Sequence, residues 1–285
     1  MSEPVFQSVR KLQYSYLVNG VVGNMMRQHY HDGYEVYLQL DGRRNIFFDG
    51  RKYVLERGSM FLIEPFVLHI TTNSEEAVCS RNVMNFKRDT LAEFLSDKEI
   101  NSLSSELRSC IIQLDEPQIG VIEDHFRQIE EKWLRFRHGG EKRCEKLAYI
   151  EVYRLLDKIL YLKENVTGLI RLESSETVTD HDIYRVLEFI GEHYAEDIRL
   201  DDMVRYSHMS KSSFYRAFRR VTGDTFGNYL MLYRLAKAHK LIMETDLKLG
   251  SVALKTGFAS TAQMSRAFRI EYGVSPSCFR KNENI

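Results

Sequence analysis

The chain has 285 residues, with 40 basic and 40 acidic side chains, so its formal net charge at neutral pH is zero. This length suits one large domain or two ordinary ones. A hydrophobic content of 44% with only 4 prolines excludes disordered and collagen-like classes. No apolar run reaches the roughly 20 residues that span a bilayer, and the N-terminus lacks a signal-peptide pattern. These features predict a cytoplasmic protein that does not enter a membrane.

The first part of the chain, residues 1 to about 88, has the residue pattern of β-strands. Short apolar or alternating runs rich in aromatic and β-branched residues are separated by turn signals such as Asp41-Gly42 and Arg57-Gly58. This spacing predicts a small antiparallel sandwich or barrel. The predicted strands are Tyr34–Leu40, Asn45–Asp49, Lys52–Leu55, Met60–Ile63 and Val78–Phe86.

Residues 89–164 change to a helical texture. Apolar residues recur every three or four positions in Ile119–Arg137 and in Lys146–Leu162, which predicts two amphipathic helices of more than four turns each. The apolar faces of these helices could pack on the barrel or could pair with a second subunit. Both interpretations stay open, because the width of an apolar stripe does not distinguish an intramolecular contact from a dimer interface. The polar, weakly periodic residues 165–180 are typical of an interdomain linker.

The neutral total hides an uneven distribution of charge. Residues 1–180 hold 24 basic and 28 acidic side chains, whereas residues 199–285 hold 15 basic and 7 acidic ones. A basic segment of this kind is typical of a nucleic-acid-binding domain. The charge therefore predicts a mildly acidic N-terminal domain and a C-terminal domain suited to DNA.

The C-terminal segment contains a repeat. Ser210–Gly223 and Ser260–Gly273 are identical at six of fourteen positions, and each pairs an N-cap serine with a glycine suited to a left-handed C-cap. A shorter helix and a tight turn precede each unit. The pattern predicts two helix-turn-helix motifs, at about 200–221 and 248–271, joined by a helix over Tyr229–Met243.

In each unit the second helix has one apolar face and one basic, hydrogen-bonding face. Small polar residues come first and arginines follow, which is the order that a helix needs when its N-terminus enters the major groove. Two such helices on one connector could enter successive grooves about 34 Å apart. The residues suited to phosphate contacts are Lys211, Arg219, Arg220 and Arg269.

Residues 181–281 resemble the DNA-binding domain of AraC/XylS-type transcription regulators. The motifs that carry the resemblance are Ala253…Thr256-Gly257-Phe258, Phe268-Arg269 and Gly273-Val274-Ser275-Pro276…Phe279-Arg280. Departures from the pattern, such as Gln263-Met264 in place of Tyr-Phe, keep apolar character at core positions. The resemblance implies base contacts from Ser212, Tyr215, Arg216, Thr261, Gln263 and Arg266, and an activator that works with RNA polymerase.

The spacing Gly23-x5-His29-x-His31-x3-Glu35-x6-Gly42 resembles the first motif of cupin domains, and Gly58, Pro65, His69 and Asn73 resemble part of the second. The resemblance implies a cupin-like barrel. In metal-binding cupins the positions that match His29, His31, Glu35 and His69 hold a divalent ion. Because the second motif is broken, we expect no metal and no cofactor, and predict a pocket for a small polar effector instead. The predicted pocket residues are Arg27, His29, His31, Glu35, Tyr37 and His69.

The sequence thus predicts an α+β protein of two domains: a cupin-like effector-binding and dimerisation domain over residues 1–164 and an all-α DNA-binding domain over 181–281. The predicted function is a homodimeric, sequence-specific transcription regulator, not an enzyme, that binds double-stranded promoter DNA and responds to a small metabolite such as a sugar. The alternative is a metal-dependent cupin isomerase or oxygenase fused to a DNA-binding domain.

Overall fold

The structure is a computed structural model and describes residues 6–7, 11–21, 28–48, 51–73, 78–165 and 178–278. Its N-terminal part is built on β-sheets, which are antiparallel except for the short parallel pair β1–β3. The strands are β1 (Phe6–Gln7), β2 (Leu12–Val21), β3 (Tyr30–His31), β4 (Tyr34–Asp41), β5 (Arg44–Phe48), β6 (Arg51–Leu55), β7 (Ser59–Ile63), β8 (His69–Asn73), β9 (Val78–Phe86) and β10 (Cys110–Gln113).

The strands form two larger sheets that enclose an apolar interior. One sheet has five strands in the order β10-β7-β4-β9-β2, and the other has three in the order β6-β5-β8. Side chains alternate between the two faces of each strand. In β5, Ile46 and Phe48 therefore point into the interior beside Tyr37 and Phe61, whereas Phe47 points out of the barrel.

Three helices cover the outer face of the five-stranded sheet: α1 (Asp97–Glu106), α2 (Glu116–Gly139) and α3 (Lys142–Asn165). Capping boxes at Ser96 and Asp115 fix the starts of α1 and α2, and Gly140 ends α2 in the left-handed conformation. The apolar stripes of α2 and α3 join the sheet in one buried cluster. Some apolar side chains on these helices stay exposed: Val121, Leu134, Ile150 and Tyr161.

One strand lies within residues 89–164, for which the sequence predicted a helical texture. Cys110–Gln113 forms β10, which pairs with β7 and extends the five-stranded sheet. Its apolar part, Ile111-Ile112, is too short to show any periodicity in the sequence. The strand forms because those two side chains are buried on opposite faces of the sheet.

The C-terminal part consists of helices. They are α4 (Val178–His193), α5 (Leu200–Tyr206), α6 (Lys211–Thr222), α7 (Phe226–Glu244), α8 (Leu249–Lys255) and α9 (Thr261–Tyr272). Ser210 and Ser260 cap α6 and α9, and Gly223 and Gly273 end them with φ of +75° and +74°. The pairs α5–α6 and α8–α9 are the two helix-turn-helix motifs, and α7 connects them. Most of the predicted linker, residues 166–177, lies outside the described residues. No helix in the described ranges is long and apolar enough to cross a membrane.

The two parts contact each other through the outer face of the three-stranded sheet and the segment before β8. Tyr30, Phe66 and Ile70 are buried in one cluster with side chains of α4, α6 and α7. The ring of His239 on α7 lies 4.4 Å from that of Phe66 and 6.2 Å from that of Tyr30. The three-stranded sheet and the C-terminal helices therefore share one apolar core.

Acidification is expected to weaken this fold through His239. Burial, with a smaller contribution from Lys87, lowers the pKa of His239 from 6.5 to about 3. Between these values the unfolded chain binds one proton more than the native chain. The free energy of unfolding therefore falls as the pH drops below 6.5, by about 1.4 kcal/mol per pH unit for this group. Urea unfolding at pH 7.5 and pH 5.5 should show a loss about 1.4 kcal/mol smaller in His239→Phe than in the unsubstituted protein.

The matched control is His208→Asn. His208 is exposed in the turn between α5 and α6 with φ of +53°, a conformation that asparagine tolerates. We expect this variant to keep the full pH dependence. Equal pH slopes for the unsubstituted protein and His239→Phe would contradict the assignment.

Candidate DNA-reading surface and histidine cluster

The first candidate surface lies on α6. Phe214 and Phe218 are buried and stack with each other at 5.5 Å, which turns the opposite face of the helix to solvent. Ser212, Tyr215 and Arg216 lie on that exposed face. All three predicted base-reading residues of this unit are thus accessible to a partner.

The second candidate surface, on α9, repeats this arrangement. Met264 and Phe268 are buried, whereas Thr261, Gln263 and Arg266 are exposed. The side-chain oxygen of Gln263 accepts a hydrogen bond from the Ala259 N–H at 2.9 Å. Because Gln263 is exposed, its side-chain NH₂ group can still donate hydrogen bonds at the surface. This residue therefore orders the turn and can also contact a partner.

The predicted phosphate contacts flank these readers. Arg219, Arg220 and Arg269 are exposed. Lys211 is also exposed, but its ammonium group pairs with Asp201 at 2.8 Å. An exposed pair of this kind contributes little to stability, so a phosphate group could replace the carboxylate at small cost.

The second candidate site is a cluster of three histidines and a glutamate inside the N-terminal domain. His29 and His69 form an antiparallel bridge with backbone hydrogen bonds of 3.0 and 2.9 Å, and His31 follows one residue beyond Tyr30 in the same segment. The ring centroids of His29 and His31 lie 4.3 and 5.1 Å from that of His69. Glu35 on β4 completes the cluster, with its Oε2 atom 3.2 Å from Nε2 of His31. All four are buried.

Burial sets the ionisation of this cluster. It lowers the pKa of His29 well below its ordinary value and that of His69 to about 4, in both cases against the attraction of Glu35. Burial would raise the pKa of Glu35, but the hydrogen bond from His31 and the nearby imidazoles outweigh it, and the net pKa is lowered. At pH 7 the cluster therefore holds the Glu35 carboxylate beside neutral imidazoles of His29 and His69.

The structure places the other predicted pocket residues differently. Tyr37 lies deeper in the barrel, where its ring stacks on Phe61 at 4.5 Å and its hydroxyl donates to Gln39. Arg27 lies outside the described residues. Sequence reasoning missed Asn85 on β9, whose side-chain amide donates to Glu35 at 2.8 Å. Only the register of β9 against β4 brings these two together, and no local signal marks it.

Two family models match the chain in the order of its two parts. Residues 17–133 match the AraC-like ligand binding domain, and residues 203–282 match a helix-turn-helix domain. The chain is similar to the uncharacterized HTH-type transcriptional regulator YdeC of Bacillus subtilis, with 22% identity over 94% of this chain and 90% of the relative. It is also similar to the HTH-type transcriptional activator RhaS of Klebsiella pneumoniae, with 23% identity over 90% and 88%. The crystal structure of ToxT from Vibrio cholerae aligns over 96% of this chain and 98% of that one, with 13% identity and a TM-score of 0.37.

Each matched domain coincides with one of the surfaces described above. The ligand-binding model covers the histidine cluster and most of α2, and the helix-turn-helix model covers α6 to α9. The order of a sheet-rich domain followed by two helix-turn-helix motifs is that of the family implied by the sequence motifs. The chain belongs to the AraC/XylS-type family of transcription regulators, with an N-terminal ligand-binding domain and a C-terminal DNA-binding domain.

Proposed function

We propose that this regulator reads specific promoter DNA with α6 and α9 together, under the control of a small polar effector bound in the N-terminal domain. One observation carries the DNA half of the proposal. Both helices bury their aromatic or methionine face and expose a short polar N-terminal turn followed by arginine. A lone basic helix face is usually only solvated surface, but two equivalent faces held by one connecting helix suit two grooves of a duplex.

The test compares Arg216→Ala and Arg266→Ala with the unsubstituted protein. The duplex is one that the unsubstituted protein selects from a randomised library. If each arginine contacts a base through two hydrogen bonds, each substitution should cost about 1–3 kcal/mol, or roughly 5- to 150-fold in affinity. Gel shifts measure this loss directly. Unchanged affinity in both variants would overturn the proposed readout.

The control variants distinguish the loss of a base contact from the loss of a positive charge. Arg135→Ala removes another exposed arginine, which lies on α2, and should leave DNA affinity unchanged. Arg219→Ala removes a proposed phosphate contact. It should weaken binding to the selected and to an unrelated duplex alike, whereas the loss in Arg216→Ala should be confined to the selected one.

The effector half of the proposal rests on the buried polar groups of the barrel. Buried imidazoles, Glu35 and Asn85 offer both donors and acceptors to a small polar molecule. The exposed apolar side chains of α2 and α3 support a second copy of the chain as a partner. We further propose that the regulator is an activator, as the relative RhaS is named, and that it acts with RNA polymerase, as the family resemblance implies.

A further inference from the structure

We propose that the barrel holds a second binding site, built on the Arg44 and Arg81 side chains, for the carboxylate or phosphate group of a small molecule. The site goes beyond the proposed function, which places its effector at the histidine cluster. Arg44 begins β5 and is only 1% exposed. Arg81 lies on β9 and is half-buried. A buried guanidinium group is costly unless an anion or several acceptors compensate its charge.

Strand alternation turns both arginines toward the barrel interior. Arg44 lies two residues before Ile46, whose side chain belongs to the interior apolar cluster. Arg81 lies two residues before Val83, which packs against the same cluster. Arg81 is also directly opposite Gln39 in the pairing of β4 with β9. The two side chains therefore enter the interior from different sheets, Arg44 from the three-stranded one and Arg81 from the five-stranded one.

This pair lies at the other end of β4 from the histidine cluster. In the pairing of β4 with β9, Glu35 is opposite Asn85, whereas Gln39 is opposite Arg81. Four residues of extended strand separate Glu35 from Gln39 by roughly 13 Å. The Glu35 carboxylate is also hydrogen-bonded to His31 and Asn85. It is therefore both distant and already engaged, and it does not neutralise the arginines.

The two guanidinium groups meet near the ring of Tyr37. The Cζ atom of Arg81 lies 5.7 Å from the centroid of that ring. Burial, reinforced by the positive charge of Arg81, lowers the pKa of Arg44 from its ordinary value. Two like charges repel each other more strongly in an interior of low dielectric constant than in water. An oxyanion bound between them would turn this repulsion into two attractions.

The polar groups nearby do not supply that anion. The side-chain oxygen of Gln39 accepts a hydrogen bond from the Tyr37 hydroxyl, and its NH₂ group donates to the carbonyl oxygens of Asp41 and Gly42. The Asp41 side chain is exposed. The Nε atom of Arg81 is buried and has no hydrogen-bond partner in the part of the chain that the structure describes. A buried donor of this kind is the exception in folded proteins, and a bound acceptor would satisfy it.

The guanidinium groups determine the chemical class of the ligand. Each presents a planar fork of N–H donors that matches the two oxygens of a carboxylate or of a phosphate group. A neutral sugar offers no charge to compensate the two cations. Arg81 is partly exposed, so a ligand can reach the pair from solvent at this end of the barrel. The geometry therefore points to a small anionic metabolite.

The test measures binding of malonate and of inorganic phosphate to the full chain by isothermal titration calorimetry, in chloride buffer of constant ionic strength. We expect saturable binding of one anion per chain. Tighter binding of malonate identifies a carboxylate ligand, and tighter binding of phosphate identifies a phosphorylated one. Arg81→Gln should weaken binding at least about tenfold, because it removes charge-assisted hydrogen bonds to the oxyanion. Calorimetric saturation distinguishes this site from the general stabilising effect of phosphate on folded proteins.

Arg43→Gln is the matched control. Arg43 is the neighbour of Arg44 in the chain, but it is exposed and pairs with Glu56 at 2.7 Å. This variant should bind the anion like the unsubstituted protein. Arg44→Gln should lose binding, and if that variant does not fold, Arg81→Gln decides the question.

Two results would overturn the site. One is a folded, unsubstituted protein that binds neither anion, and the other is equal affinity of Arg81→Gln and the unsubstituted protein. The measurement contains no DNA. Either result therefore leaves the proposed readout by α6 and α9 standing, and that readout is refuted separately by the gel shifts of its own variants.

Discussion

Replacing Gly257 with alanine should lower the free energy of unfolding by about 3 kcal/mol or more and abolish specific DNA binding. Gly257 lies in the turn between α8 and α9 with φ of +76°. A Cβ atom there would lie 2.7 Å from the carbonyl oxygen of Tyr194 and 2.9 Å from the Cα atom of Ala195. Both atoms are backbone and cannot rotate away. The added methyl group would therefore separate the second helix-turn-helix motif from the segment that follows α4.

Two other glycines provide matched controls. Gly273 has nearly the same φ, +74°, but a Cβ atom added there would meet nothing within 4 Å. Gly273→Ala should therefore lower the free energy of unfolding by only about 1 kcal/mol, the cost of the left-handed backbone conformation for alanine. Gly250 is inside α8, where alanine is the better helix former and its Cβ would make an ordinary contact of 3.6 Å. Urea unfolding of the three variants measures the order of their stabilities. Equal stability of Gly257→Ala and Gly273→Ala would show that the close approach to Tyr194 is not a constraint.

Phe218→Ala should destabilise the first helix-turn-helix motif by about 3–5 kcal/mol, the usual cost of deleting a buried phenylalanine side chain. Phe218 is 1% exposed. Its ring lies 5.7 Å from that of Phe226 and 5.5 Å from that of Tyr229, so it joins α6 to the start of α7. The resulting cavity would loosen the orientation of α6, and DNA affinity should fall together with stability.

Tyr215→Ala is the matched control for this prediction. Tyr215 lies on the same helix, but 43% of its surface is exposed. Its loss should lower DNA affinity with little change in the urea midpoint, since exposed substitutions usually change stability by less than about 0.5 kcal/mol. If the two variants unfold at the same urea concentration, the assignment of Phe218 to the core of this motif is wrong.

Local signals in the sequence were sufficient to predict the helix ends and turns that depend only on neighbouring residues. Serine and glycine caps predict the ends of α6 and α9, because both act within a single helical turn. Asp41-Gly42 likewise predicts the turn between β4 and β5, where Gly42 has φ of +72°. The resemblance to the cupin motifs also grouped His29, His31, Glu35 and His69.

What escaped prediction depends on contacts between distant residues. The partner of Asn85 is set by strand register, 50 residues away from Glu35. Lys240 on α7 pairs with Glu64 at 3.4 Å across 176 residues of sequence, and nothing near either residue signals this contact. The interface between the two domains forms between the apolar faces that remain exposed after each domain has folded. The periodicity of apolar residues in the sequence predicts those faces but not which faces contact each other.

The segment His29-Tyr30-His31 has a consequence for how such a regulator can evolve. Its outer residues belong to the proposed ligand site and its middle residue to the contact with the C-terminal helices. A substitution that changes which ligand is bound also shifts the backbone that carries Tyr30. Ligand specificity and transmission are therefore inherited together, and descendants with a new ligand should show compensating changes around His239 rather than in α6 or α9.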